Sequence, residues 1–325
     1  MGFAVSGQPS GRRRRIRGLR GATTGAVHMG ESLASAAPAV SAGRGAAREL
    51  IDLHCHSTAS DGHLTPAEVV ERAAGQGVAT LALTDHDTTA GVAEAQSAAH
   101  AHGLRLVTGV ELSVLWQRRT FHIVGLGMDL GDPVLQSGLG RMQRARQQRG
   151  EEIGKRLERA GLQGAFEGAR SVAGGAEITR AHYARWMVET GVVRGYEQAF
   201  RRYLRRGQVG YVHGDWVAME EGIDWIRAAG GIAVLAHPLG YSLTGAWLRR
   251  VLEAFTAAGG GGIEVCCGTS PAPWQVEKLG GWCRRFGLYA SIGSDFHGPG
   301  HPSRELGAAP ALPTDLPPVV EALRS

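Results

Sequence analysis

Cysteine is scarce in this chain of 325 residues, which contains four of them. Two of the four, Cys266 and Cys267, are adjacent, and no two are spaced as a CxxC pair. This usage excludes a disulfide framework and a zinc ribbon. It predicts buried thiols in a reducing compartment, and we therefore expect a cytoplasmic protein.

Long apolar runs are also missing, although 43% of the residues are hydrophobic. No run approaches the roughly 18 residues that a membrane-spanning helix needs, so we expect no association with a membrane. The chain also lacks a GxSxG nucleophile elbow, a Walker loop and a GxGxxG after its first predicted strand. The sequence thus gives no indication of serine-hydrolase, P-loop or dinucleotide chemistry.

The net charge of +5 is distributed unevenly along the chain. Residues 1–49 carry eight Arg and two Glu, and residues 136–206 carry fifteen Arg or Lys and seven Glu. The first block is rich in Gly, Ala and Ser without apolar periodicity, which predicts a disordered basic tail over residues 1–48. The second block predicts a local surface that binds anions.

Strand-like and helix-like segments alternate from residue 49 onward, which predicts parallel strands joined by crossover helices. The segment "WQRRTFHIVGLGM" instead indicates one arm of a hairpin. Residues 133–206 interrupt the alternation with helical periodicity. We therefore predict an α/β barrel domain over 49–132 and 207–325, with a mostly helical, substrate-binding insertion over 133–206.

Histidines and acidic residues follow the predicted strands. In "IDLHCHSTASDG", residues 51–62, the alternation of side chains along a strand places His54 and His56 on one face. Such a pair is either solvated or part of a metal site. The pattern recurs after later strands. Because the carboxyl ends of barrel strands share one face, we expect these side chains to lie close together on that face. The nine candidates are His54, His56, Asp61, His86, Glu111, His122, His237, Asp295 and His297.

This mixture of imidazole and carboxylate ligands suits Mn, Fe or Zn, and carboxylates can bridge several cations. Two or three dications a few Å apart lower the pKa of a bridging water and bind phosphate oxygens. The candidates therefore favour hydrolysis of phosphate esters over a site that is merely solvated.

Several motifs together resemble the PHP (polymerase and histidinol phosphatase) family of metal-dependent phosphoesterases. They are "DLHCHSTASDG", "LALTDHD", "GVELS", "FHIVGLG", "LAHP" and "IGSDFHG", and the resemblance covers about residues 50–310. The chain is most similar to the branch that includes bacterial RNase AM and nucleoside 3′,5′-bisphosphate phosphatase. That branch has a helical insertion with a segment similar to "ITRAHYARWMVETG".

The resemblance implies a distorted (β/α)7 barrel of the PHP type with a three-metal site. We expect three Mn²⁺ ions, with Fe²⁺ or Zn²⁺ as alternatives. By position, the first metal would be held by His54, His56, Glu111 and Asp295. Glu111 would bridge to a second metal, held also by His122 and His237. The third would be held by Asp61, His86 and His297.

The same resemblance implies hydrolysis of nucleotide phosphate esters (3′,5′-bisphosphate or AMP-like) or 5′–3′ cleavage of short RNA by a metal-bridging hydroxide. Substrate contacts are expected in the insertion, from Arg180, His182, Arg202 and Arg205. The expected partner is therefore a phosphorylated small molecule or a short RNA, and nothing indicates an obligate protein partner. A histidinol-phosphate phosphatase and a catalytically silent metal-binding module remain alternatives.

Overall fold

The computed structural model describes residues 49–268, 272–300 and 304–323. The predicted basic tail, residues 1–48, lies outside these ranges. Among the described residues, no helix is long and apolar enough to cross a membrane.

Seven strands form a nearly closed mixed sheet in the order β1-β2-β3-β4-β6-β7-β8, and the two-residue strand β5 pairs with β3. The strand β4 runs antiparallel to both of its neighbours, β3 and β6, whereas the other neighbouring pairs are parallel. The strands are β1 Leu50–Cys55, β2 Val78–Leu83, β3 Arg105–Trp116, β4 Arg119–Leu126, β5 Val217–Ala218, β6 Ile232–Leu235, β7 Gly262–Cys267 and β8 Tyr289–Gly293.

The barrel closes where the segment after β8 meets β1. Cys55 and Phe296 form a parallel bridge, and the amide of Asp295 donates to the carbonyl of His54 at 2.8 Å. Gly293 permits this approach because a Cβ at that position would lie 2.3 Å from the Cβ of His54. The predicted distorted seven-stranded barrel is therefore confirmed.

Ten α-helices surround the barrel within the described ranges. The first begins as its sequence predicts, with Thr65 as N-cap, Pro66 in the first turn and a capping box to Glu68. The helices are α1 Pro66–Gly75, α2 Val92–His102, α3 Pro133–Arg159, α4 Ala165–Ala173, α5 Arg180–Glu189, α6 Tyr196–Ala199, α7 Met219–Ala228, α8 Gly245–Ala257, α9 Pro273–Phe286 and α10 Val319–Ala322.

The helices α4 to α6, with part of α3, enclose an apolar cluster of their own. Ile153 and Leu157 of α3 pack there against Tyr183 and Met187 of α5, all of them buried. A π-helical turn, Phe200–Leu204, completes this region. The boundaries of a separate insertion domain stay a prediction.

A buried ion pair joins α3 to the barrel. The Nε atom of Arg146 donates to Oδ2 of Asp87 at 2.6 Å, and its second guanidinium branch donates to the hydroxyl of Ser113 at 3.1 Å. The guanidinium also lies over the ring of Trp216, 5.3 Å from its centroid. Because Asp87 follows His86 directly, this pair holds α3 beside the strand ends that carry the candidate ligands.

Candidate metal centre

The barrel brings all nine predicted ligands to one rim. Eight of them fall into overlapping groups in which the ligand atoms lie within 4.8 Å of one another. The ninth, His237, lies beside Glu111 and His122. Most of these residues follow the carboxyl ends of parallel strands. His122 lies within β4 instead, and it reaches the same rim because β4 runs the opposite way.

The first group consists of His54, His56, Glu111 and Asp295. The Nε2 atoms of both histidines lie 3.3 Å from Oε2 of Glu111. They lie 3.7 Å and 3.4 Å, respectively, from Oδ1 of Asp295. Four ligand atoms from three strand ends therefore surround one point.

The second group uses the other oxygen of Glu111. Its Oε1 atom lies 2.9 Å from Nδ1 of His122 and 2.9 Å from Nε2 of His237. The two imidazole nitrogens are 3.3 Å apart. Glu111 thus lies between the first and second groups, as a bridging ligand must.

The third group consists of Asp61, His86 and His297. Oδ1 of Asp61 lies 3.9 Å from Nε2 of His86 and 3.5 Å from Nε2 of His297. His86 also places its Nδ1 atom 2.9 Å from Oε2 of Glu111. This group is therefore contiguous with the first.

Most of these separations, at 3.3 to 3.9 Å, are longer than an ordinary hydrogen bond, and they fit ligand atoms gathered around bound cations. Metal–ligand bonds of about 2.1 Å place neighbouring ligand atoms roughly 3 to 3.5 Å apart. Several of the buried ligand atoms have no hydrogen-bond partner despite lying this close together. They are Nε2 of His54, both ring nitrogens of His56, Oδ1 of Asp61, Nδ1 of His86 and Oε2 of Glu111. Because unpaired buried polar atoms are costly, the residues present fit divalent metal ions.

The protonation states of His86, His297 and Glu111 suit the same role. Burial lowers the pKa of His86 to about 3 and that of His297 to about 4, so both imidazoles are neutral at pH 7. Burial alone would raise the pKa of Glu111, but His122, His54 and His86 hold that pKa well below its usual value. Neutral imidazoles and ionised carboxylates are the forms that ligate metals.

Backbone strain marks two of the ligands. His237 has a φ of 30° and Asp295 a φ of 54°. Residues other than glycine rarely adopt this region, and such strain persists at functional sites where the surroundings impose it. Here the strand ends turn sharply at these residues, which aims their side chains into the rim.

Asp61 is held by a polar turn and by the insertion. The carboxylate of Asp85 accepts from the amide of Ser57 at 2.8 Å and from the hydroxyl of Ser60 at 2.6 Å, which fixes the turn that carries Asp61. The Oδ2 atom of Asp61 accepts from the hydroxyl of Thr179 at 3.2 Å, and Thr179 is the N-cap of α5. The third group is therefore connected to the start of α5.

Glu264 of β7 contacts two of the candidate ligands, and it was not identified from the sequence. Its Oε1 atom lies 2.6 Å from Nδ1 of His54, and its Oε2 atom accepts from the backbone amide of His237 at 2.5 Å. A carboxylate on Nδ1 fixes the tautomer of an imidazole and leaves Nε2 free for a metal. The available signal was a single acidic residue inside the apolar strand "GIEVCC".

We expect Glu264→Gln to weaken metal binding by about tenfold or more, because the amide cannot supply the negative charge that faces His54. Isothermal titration of the metal-free protein with Mn²⁺ measures this change. The substitution preserves shape, so the far-ultraviolet circular dichroism should match that of the unmodified protein. Unchanged affinity would show that Glu264 does not position His54.

A cavity of about 620 Å³ opens beside the centre. Its lining includes Asp61, His86, His122 and His297 of the rim together with six arginines. Of the predicted substrate-binding residues, Arg180 lines this cavity. The other arginines there were not predicted as substrate ligands: Arg118, Arg119, Arg146, Arg149 and Arg206.

Arg149 and Arg180 form no ion pair with an acidic side chain of the described segments. The Nε atom of Arg149 donates to the carbonyl of Val212 at 3.0 Å. Burial, with repulsion from Arg180, lowers the pKa of Arg149, and burial also lowers that of Arg180. An anion in the cavity would offset both effects, so this wall is suited to binding a phosphate.

The other three predicted substrate ligands do not line the cavity. His182 is 2% exposed, and its Nδ1 atom accepts from the amide of Thr179 at 3.0 Å, so it completes the capping box of α5. Arg202 is exposed on the π-helical turn and lies over the ring of Tyr203, and Arg205 is exposed directly after that turn. Their contact with substrate stays a prediction, for which the geometry offers no support.

Removing metal with a chelator should lower the melting temperature. A ligand present at 100 times its Kd stabilises the fold by about 2.7 kcal/mol, which is roughly 5 to 10 °C for a domain of this size. Scanning calorimetry with EDTA and with excess Mn²⁺ measures the difference. Asp295→Ala should make this difference in melting temperature smaller. If the unmodified protein melted identically in EDTA and in excess Mn²⁺, stabilisation of the rim by metal would be contradicted.

The chain is similar to proteins of known name over most of its length. It is 49% identical over 249 residues to a 5′-3′ exoribonuclease of Haemophilus influenzae, covering 76% of this chain and 90% of the relative. It is 46% identical over 270 residues to a 3′,5′-nucleoside bisphosphate phosphatase of Chromobacterium violaceum, covering 83% and 93%.

A solved structure has the same fold. It is described as an amidohydrolase from Chromobacterium violaceum with bound sulfate and no metal. The TM-score is 0.80 at 45% identity, over 84% of this chain and 95% of that one. Residues 52–212 also match the PHP domain, which confirms the resemblance seen in the sequence. The chain therefore belongs to the PHP family.

Proposed function

We propose that this protein is a metal-dependent phosphoesterase that acts on nucleotides with a second phosphate and on the 5′ end of short RNA. One observation carries the proposal: the rim of nine metal-ligand candidates opens into a cavity whose wall includes Arg149 and Arg180, neither of which forms an ion pair with an acidic side chain of the described residues. The rim suits the phosphorus that reacts, and the arginines suit a second phosphate. Three ions, most simply Mn²⁺, would match the three groups of ligands. Separately, the small number of cysteines favours a cytoplasmic location.

The two activities named for the relatives require the same bond to break. A 3′,5′-bisphosphate carries its 3′-phosphate on O3′, and in RNA that phosphate is also esterified to the next nucleotide. Attack of water on this phosphorus with departure of O3′ yields a nucleoside 5′-phosphate in both cases. Inorganic phosphate is the second product in one case and a shortened RNA with a 5′-phosphate in the other.

The chain's own residues bind and orient the substrate for this reaction. Arg180 and Arg149 would hold the 5′-phosphate, and the cavity would hold the nucleoside between that phosphate and the rim. Metal ions bound at the rim would supply Lewis acidity, which lowers the pKa of water and neutralises charge on the phosphate oxygens. Glu264 orients His54, and Thr179 orients Asp61, so the ligand atoms keep their separations during turnover.

A substrate panel tests the proposal. With Mn²⁺ present, the full chain is assayed on adenosine 3′,5′-bisphosphate, AMP, a short 5′-phosphorylated RNA and histidinol phosphate. We expect the bisphosphate and the RNA to have the highest kcat/KM. A preference for histidinol phosphate would favour that phosphatase activity, and uniform inactivity of metal-loaded protein would favour a silent module.

A further inference from the structure

A group of basic and aromatic side chains extends from the edge of the cavity, at the tip of the β3–β4 hairpin, to the first turns of α8. The indole of Trp247 lies under two guanidiniums, 5.3 Å from that of Arg119 and 4.8 Å from that of Arg250. Trp116 packs edge-on against Trp247, with the ring centroids 6.0 Å apart. We name this group the hairpin ledge: Trp116, Arg118, Arg119, Trp247 and Arg250.

The ledge carries positive charge that the described part of the chain does not neutralise. Arg118, Arg119 and Arg250 are exposed, and none forms an ion pair with an acidic side chain of the described residues. The adjacent Arg249 behaves differently, because it pairs with Glu253 at 3.6 Å. The absence of such pairs is therefore a feature of the ledge rather than of the whole helix.

The ledge continues the cavity wall. Arg118 and Arg119 line the cavity together with His122 and Tyr241, and from there the surface passes to Trp247 and Arg250. A strand leaving the metal rim on the side of His122 and His237 would therefore meet the ledge first. Arg146 and Arg149 of α3 and Arg180 of α5 line the same cavity.

We propose that the hairpin ledge binds the downstream nucleotides of a single-stranded RNA whose 5′-terminal nucleotide occupies the cavity. This inference rests on the proposed function. When the bond to O3′ breaks, the reacting phosphate stays on the downstream strand, so that strand needs a path away from the cavity arginines. Exposed guanidiniums held against the Trp247 indole supply such a path, because they bind phosphates and offer their planar faces to bases without reading sequence.

The test compares two ledge variants with a matched control in the full chain. Arg250→Glu reverses a ledge charge, and Trp247→Leu keeps apolar packing but removes the ring against which the guanidiniums of Arg119 and Arg250 lie. Arg249→Glu makes the same charge change one residue away. Each protein is assayed with Mn²⁺ on adenosine 3′,5′-bisphosphate and on a 5′-phosphorylated RNA of five nucleotides.

We expect each ledge variant to lose about tenfold in kcat/KM on the pentanucleotide and less than about twofold on the bisphosphate. Arg249→Glu should change neither by more than about twofold. Melting curves of all variants identify any loss of folding, which would reduce both activities equally. Equal kcat/KM on the pentanucleotide in folded Arg250→Glu and the unmodified protein would overturn the proposal.

Binding without turnover separates this inference from the proposed function. Fluorescence anisotropy with a labelled pentanucleotide in EDTA should show weaker binding for both ledge variants. For Arg250→Glu, the slope of log K against the logarithm of the salt concentration should become shallower by about 0.7 for each phosphate contact that is lost. This result would support the ledge even if no substrate were hydrolysed. Competition by polyglutamate as effective as that by RNA would overturn it and indicate a surface for acidic proteins.

Discussion

Replacing Glu111 by glutamine should abolish tight metal binding and lower kcat/KM by about a thousandfold or more. Both carboxylate oxygens are used: Oε1 faces His122 and His237, and Oε2 faces His54, His56 and His86 at 2.9 to 3.3 Å. An amide offers one neutral oxygen and an NH₂ group that would point a hydrogen at imidazoles. Metal content by elemental analysis and activity on adenosine 3′,5′-bisphosphate should fall together.

The matched control for that substitution is Glu221→Gln. Glu221 is an acidic residue that pairs with Arg141 at 2.6 Å on the surface, away from the rim. The Glu221→Gln variant should retain metal and activity, because a surface ion pair contributes little to the stability of the fold. If Glu111→Gln kept a full complement of metal and turned over normally, the rim would not be the catalytic centre.

Arg180→Ala should raise the KM for adenosine 3′,5′-bisphosphate by about ten- to a hundredfold, since a charge-assisted hydrogen bond in a partly buried site is worth about 1.5 to 3 kcal/mol. A small aryl phosphate has no second phosphate, so its KM should change far less. Steady-state kinetics on both substrates gives the comparison directly.

Arg202→Ala serves as the control for Arg180. Both arginines were predicted from sequence to contact substrate, but Arg202 does not line the cavity. The geometry predicts near-normal kinetics for it. Equal losses on the bisphosphate and the aryl phosphate in Arg180→Ala would remove the proposed role in phosphate recognition.

The ligand set could be found from sequence because its pattern is local. His54 and His56 alternate on one strand, and His86, His237 and Asp295 each end an apolar run, so barrel geometry alone brings them to one face. Family resemblance then divided them into three groups. In the structure the ligand atoms form clusters that cut across this division, because His56 lies beside the third group and His86 beside Glu111, so the division stays a prediction. Periodicity likewise identified the crossover helices and the helical character of residues 133–206.

The cavity wall and the supporting residues could not be found in this way. Arg149 lies on α3 among many exposed arginines of the same helix, and only tertiary packing shows that it faces the cavity. His182 illustrates another limit. Resemblance of its segment to the family's insertion favoured substrate contact, but a residue at N3 can turn back to its own N-cap, and in the structure the Nδ1 atom of His182 accepts from the amide of Thr179.

The reversed direction of β4 has a consequence for how this rim can vary. The hairpin closes between Trp116 and Arg119 through a two-residue turn, Gln117 and Arg118, whose φ angles of 49° and 60° are typical of a type I′ turn. His122 is anchored by its register opposite Ser113, below that turn. Residues added at the tip would lengthen the lip of the cavity without moving an imidazole. Grafting a longer loop onto the hairpin tip should therefore change the length of substrate that the protein prefers without moving the candidate metal ligands.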